Sequence, residues 1–360
     1  MKANNFREML DGANSQFSMA AFHVRLLLAI ALVTALCAFA NGQRLAREAQ
    51  TSKSARDLRV DKYFFDQSSS YCGGDNILFY NETTGEGLVG KVNLAGFQQT
   101  KKFEAGRFAP GWTHVANVDS INAILFYKSD TGDAALGTLD RGNFTTTQTY
   151  NNFTPGWTNI QYVGLERNHA LFYKSDNGAA ALGFAPTAKK YRKGDLSPRW
   201  THIVWNRAGT LFYATNLGSG AIAVPIVSGS PGPFAEPNDL KTTQTFRTGD
   251  FTTDWTHVAA TRSHVFFYNR SDGTAAIGTL SPSNFETRKQ YAAGKFSPQW
   301  THVVSAGEDM LLFYNSNTGS GAIGEIRGDE FRTTTSLGAG SLPRGFTNVV
   351  CSADAPPPPH

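Results

Sequence analysis

Six near-identical phrases restrict this chain to a repeat architecture. An aromatic doublet, Phe-Tyr, preceded by an apolar residue recurs as ILFY (77–80), ILFY (124–127), ALFY (170–173), TLFY (210–213), VFFY (265–268) and LLFY (311–314). Each copy is followed by a second phrase: GWTHV (111–115), GWTNI (156–160), RWTHI (199–203), DWTHV (254–258), QWTHV (299–303) and GFTNV (345–349). The period is about 46 residues, a length at which repeats build solenoids or propellers rather than one ordinary core.

Each period contains four short strand signals. The W-T-H/N phrase reads as one strand, with alternation placing Trp112 and His114 on one face and Thr113 and Val115 on the other. The LFY phrase is the second. A turn follows with Gly five residues after each Tyr (Gly85, Gly132, Gly178, Gly218, Gly273, Gly319), which suggests a required positive φ. A Gly/Ala-rich third strand, small enough to let sheets approach closely, and a Thr-rich fourth complete the unit. Four antiparallel strands taken six times predict an all-β, six-bladed β-propeller over 62–352. The repeats begin with LFY and end with the W-T-H type strand. The last strand must therefore complete the first blade, closing the ring by strand exchange between termini. An open solenoid is the alternative, but polar capping repeats are not evident. The stretch around 228–239 reads as a surface loop in the fourth repeat's outer hairpin.

Upstream, LLLAIALVTALCAFA (26–40) ends in a small-x-small pattern and reads as an export signal over 1–40, starting at Met1 or Met19. An uncleaved membrane anchor is the competing reading, but the run is short for a span. Residues 41–61 are polar and charged, a disordered spacer or propeptide. Residues 353–360 form a Pro-rich tail. With Cys37 inside the signal, Cys72 and Cys351 remain. They flank the first and last repeat phrases, so ring closure would bring them together as a disulfide in a secreted protein. Sequons at Asn81, Asn143, Asn152 and Asn269 predict N-glycosylation along a eukaryotic secretory route.

Charged residues make up 17% of the chain and the formal charge is +4. No basic stripe accompanies that charge, so nucleic acid is not an expected partner. The loops 128–134 and 269–275 lack regular calcium-loop spacing, and neither a metal nor another cofactor is expected. No catalytic motif stands out, and charged residues do not repeat in register. The expectation is a protein that is not an enzyme. What does repeat is an aromatic next to an imidazole or amide: Trp112/His114, Trp157/Asn159, Trp200/His202, Trp255/His257, Trp300/His302 and Phe346/Asn348. Such pairs either pack between blades or present a stacking face and hydrogen-bonding groups to a sugar.

The phrase F-x-x-x-W-[TN], then LFY, Gly and a small apolar strand, resembles the tachylectin-like β-propeller lectins over nearly all of 75–350. The blade number differs from the five-bladed tachylectin type. That resemblance implies binding of N-acetylated sugars in equivalent pockets near each Trp–His/Asn strand. Arg56-Asp57-Leu58-Arg59 is similar to the R-x-L-R element of oomycete secreted effectors, without the acidic element that usually follows. It implies delivery into a host cell and a role in virulence. Two functions are therefore expected: a secreted, multivalent binder of glycans or glycoproteins with no membrane span after cleavage, or an effector whose propeller docks a host protein.

Overall fold

A computed structural model describes residues 67–119, 122–164, 170–184, 188–227 and 237–353. The expected export signal, the expected spacer with Arg56–Arg59 and the tail from 354 lie outside these residues. Within the unit Tyr63–His360, six four-stranded antiparallel sheets form a closed ring, as the repeats predict. The first strands of neighbouring blades meet around the axis: Asn348–Ser352 in blade 1, then His114–Asn117, Asn159–Tyr162, His202–Asn206, His257–Ala260 and His302–Ser305 in blades 2 to 6. Blade 1 is completed by the C-terminal strand, with Ile77 opposite Cys351 and Tyr80 opposite Asn348. A disulfide joins Cys72 to Cys351 at that closure. The 228–236 stretch falls outside the described residues, between Ser219–Val227 and Pro237–Phe246, the outer hairpin of blade 4.

Because each sheet is covered on both faces by its neighbours, the four-residue LFY phrases are buried in all six blades. The core is correspondingly divided into six apolar clusters, one at each blade junction. The turn glycines all have positive φ, between 58° and 79°. A Cβ at Gly85, Gly132, Gly178, Gly218, Gly273 or Gly319 would stand 2.0–2.2 Å from the carbonyl of Phe108, Phe153, Leu196, Phe251, Phe296 or Leu342. Glycine is thus required for both conformation and space.

The small third strand has a different cause from the one expected. A Cβ on Gly90, Gly137, Gly278 or Gly324 would strike the ring of Phe97, Phe144, Phe285 or Phe331, which folds over from the fourth strand of the same blade. A β-bulge lies at this point in each of these blades. In blades 1, 2, 4 and 6 the extra residue is Thr100, Thr147, Thr243 or Thr334, and its hydroxyl donates to a third-strand carbonyl. The threonines and glycines therefore serve one kinked outer hairpin.

Candidate functional site

The repeated Tyr-Trp-Thr-His set gathers at one end of the ring. Each LFY tyrosine donates its phenol to the carbonyl three residues before the next Trp or Phe: Ala109, Thr154, Ser197, Thr252, Ser297 and Pro343, at 2.6–2.9 Å. Burial pushes Tyr80, Tyr173 and Tyr213 up to about 12, so these phenols remain protonated donors. The inner strands start at the His or Asn, and the tryptophans stand in the preceding loop. Each Trp ring packs on the Phe of its own blade's LFY strand at 5.9–6.1 Å. Trp157 and Trp255 are buried, whereas Trp112, Trp200 and Trp300 retain partial exposure.

The imidazoles link blades. His114, His202, His257 and His302 place Nε2 3.1–3.3 Å from the carbonyl of Thr158, Thr256, Thr301 or Thr347 in the next blade. Their Nδ1 atoms lie 2.8–2.9 Å from the hydroxyl of the preceding Thr. A carbonyl only accepts, so Nε2 carries the proton and Nδ1 accepts from the Thr hydroxyl. Desolvation holds all four well below the usual imidazole value, to about 4 for His202 and His302 and about 3 for His257. They are neutral at pH 7 with both ring nitrogens engaged. Asn159, in the same position in blade 3, is also buried.

The central channel is occupied from within. Residues Gln67–Ser69 run parallel to His257–Ala260 of blade 5. Ser68 and Ser70 accept the amides of Ile203 and Trp205 in blade 4, and Ser69 accepts that of Ser305 in blade 6. Gln161 of blade 3 bonds Ser70 Oγ and the Ser68 carbonyl. Alternation along an extended segment explains the serines: successive hydroxyls face opposite blades, each capping an amide that an inner edge strand would otherwise leave open. Tyr71 then donates its phenol to Glu308, and Cys72 follows in the disulfide. A cavity of about 50 Å³ remains on the side of blades 1–3, lined by Asn117, Gln161 and Val350 among others, which is room for a few waters. The serine segment carries no apolar pattern, and sequence reading did not assign it a role.

A larger cleft, about 430 Å³, opens between blades 3 and 4. Trp200, Phe212 and Phe246 form apolar walls, with Asp195, Thr245 and Arg247 among the polar residues lining it. The repeat thins here in three places. Leu196 stands where four other junctions have Phe108, Phe153, Phe251 and Phe296 and the junction of blades 6 and 1 has Leu342. Leu240 takes the position of Phe97, Phe144, Phe285 and Phe331. Ala214 replaces the residue that is Lys128 in blade 2 and Lys174 in blade 3, whose ammonium groups cover Trp112 and Trp157 at 5.2 and 5.3 Å. These departures are visible in the sequence only as exceptions to the period.

Of the sequons, Asn143 and Asn152 are exposed, while the Asn81 amide donates to the Gly345 carbonyl and Asn269 accepts from Ser271. No group of three or more His, Cys, Asp or Glu among the described residues is arranged to hold a metal.

No family model and no curated protein sequence matches the chain. Similar solved structures are found at low identity. A structure of the nidogen/laminin complex shares 11% identity at a TM-score of 0.48, covering 78% of this chain and 100% of that one. A putative 6-phosphogluconolactonase from Bacteroides uniformis shares 12% at 0.45, covering 74% and 84%. The periplasmic gluconolactonase of Pseudomonas aeruginosa shares 11% at 0.44, covering 75% and 97%. These likenesses speak to the fold alone. The expectation that the chain is not an enzyme is corrected: it rested on a missing motif, which does not exclude catalysis on a propeller, and lactonases stand among these similar structures, whose likeness assigns no activity to this chain.

Proposed function

We propose that this chain is an exported carbohydrate-binding β-propeller. The observation that carries the reading is the ring of tryptophans at one end, with Trp112, Trp200 and Trp300 partly exposed beside loops rich in Thr, Ser and Asn. An indole face attracts the polarised C–H groups of a pyranose, and neutral hydroxyls and amides match its hydroxyls. The Cys72–Cys351 disulfide supports an oxidising compartment, as does the apolar run at 26–40. The histidines of the repeat serve the ring rather than the ligand, so the reading rests on the tryptophans. Isothermal titration of the purified protein with N-acetylglucosamine, N-acetylgalactosamine and fucose tests it. Saturable heat with at least one sugar is expected, and silence with all three, repeated on a broad glycan array, sinks the proposal.

A further inference from the structure

We propose that the cleft between blades 3 and 4 is the principal ligand site and takes a single hexopyranose ring, an inference that rests on the carbohydrate reading above. Its volume of about 430 Å³ falls in the range of small-molecule pockets. Three departures from the repeat converge on this junction and act in one direction. Leu196 lines the cleft where four other junctions have Phe, Leu240 takes the place of a Phe in the core of the same junction, and Ala214 stands where blades 2 and 3 carry a lysine over the tryptophan and blades 1, 5 and 6 an asparagine. Trp200 is therefore left with a neighbour too short to shield it.

The lining matches the chemistry of a neutral sugar. The lining includes the aromatic Trp200 and Phe246, of which Phe246 packs its ring on Phe251 and Trp200 is partly exposed. It also includes Thr245, Arg247 and Asp195, all exposed. Arg247 forms no salt bridge among the described residues, and one Asp195 carboxylate oxygen accepts the Arg192 amide at 2.7 Å. A guanidinium and a carboxylate can each bond a pair of vicinal hydroxyls, one by donating and one by accepting. Opposite charges on one rim do not select an ionised ligand. A lipid chain would leave them unpaired, whereas a pyranose has both an apolar face and a hydroxyl periphery.

The test is titration of the full chain with the same three monosaccharides, alongside two variants that borrow residues from the other blades. Leu196→Phe restores the ring that four other junctions carry, and Ala214→Lys restores the cover over the tryptophan. The parent should bind close to one sugar per chain. Either variant should weaken binding at least tenfold, with the circular-dichroism spectrum unchanged and a melting temperature no lower than the parent's. If Leu196→Phe fails to fold, Ala214→Lys carries the same prediction from the neighbouring blade strand. Binding at parental strength in a folded variant, or a stoichiometry of two or more, overturns this site while leaving the carbohydrate reading standing. No binding by the parent to any sugar overturns both.

Discussion

Acid should dismantle the ring in a pH window set by its histidines. His202, His257 and His302 are almost wholly buried, and desolvation lowers their folded values to about 4, about 3 and about 4. The unfolded chain titrates near 6.5, so between pH 6.5 and about 4 the unfolded state holds more protons than the folded one. The contribution of these imidazoles is complete above pH 6.5 and is lost as pH falls toward the folded values. By pH 4.5 the loss is roughly 2–3 kcal/mol per histidine, with a combined slope approaching 4 kcal/mol per pH unit if the three act independently. His114 is lowered too and adds in the same direction. Urea midpoints between pH 7.5 and 4.5 measure this, and comparison with a histidine variant removes the part that carboxylates add at the acid end. The His257→Asn variant uses the residue that blades 1 and 3 already carry at this position, and should flatten the slope by close to one proton. A stability that stays level from pH 6.5 to 4.5, or an Asn variant with the parent's slope, would refute the assignment of neutral, doubly bonded imidazoles.

Four further outcomes follow from the geometry. Gly273→Ala places a Cβ 2.1 Å from the Phe296 carbonyl at a φ of 74°, and should cost about 2–4 kcal/mol by denaturant melts. The residue before each repeat Trp and before Phe346 also has positive φ, supplied by glycine in blades 1, 2 and 3 but by Arg199, Asp254 and Gln299 in the others. Gln299→Gly should accordingly stabilise by about 0.5–1 kcal/mol, and a lower melting temperature would contradict this. Ser70→Ala strips the acceptor from the buried Trp205 amide and should cost about 1–3 kcal/mol, with faster hydrogen exchange along His202–Asn206. Replacing Cys72 and Cys351 with serine removes a closure spanning 279 residues and should cost about 2–5 kcal/mol, read from the unfolding midpoint.

The fold was legible because its signal repeats. Six LFY strands, six turn glycines and a final strand with no partner in its own repeat specify a closed ring, and two cysteines mark the seam. Local causes were harder to read. The small third strand looks like an adaptation to neighbouring sheets, yet Gly90, Gly137, Gly278 and Gly324 make room for a phenylalanine of their own blade. The tryptophan looks like part of the inner strand, yet a positive φ just before it holds it in the loop. Ser68–Ser70 could not be placed at all, because its partners lie in blades 3 to 6 and no apolar period marks a segment that binds through hydroxyls.

Repetition itself has two meanings, and this ring separates them. A residue present in every blade answers a demand that every junction makes. The tyrosine fixes the next loop, the glycine clears its carbonyl, and the threonine hydroxyl accepts the amide two residues past the tyrosine, as Thr113 does from Ser129 and Thr347 from Glu82. These three have their polar atoms engaged and their surface covered, so little of them remains for a ligand, whereas Trp112, Trp200 and Trp300 keep partial exposure. A binding site on a ring of this kind must then lie where the demand is relaxed, at a junction that gives up packing to leave space. Blades 3 and 4 meet that condition, since their junction forgoes two phenylalanines and leaves Trp200 without the lysine cover present in blades 2 and 3. Looser apolar packing at one of six junctions is tolerable only because closure is enforced elsewhere. The strand exchange, the disulfide and the serine segment in the channel together supply that enforcement.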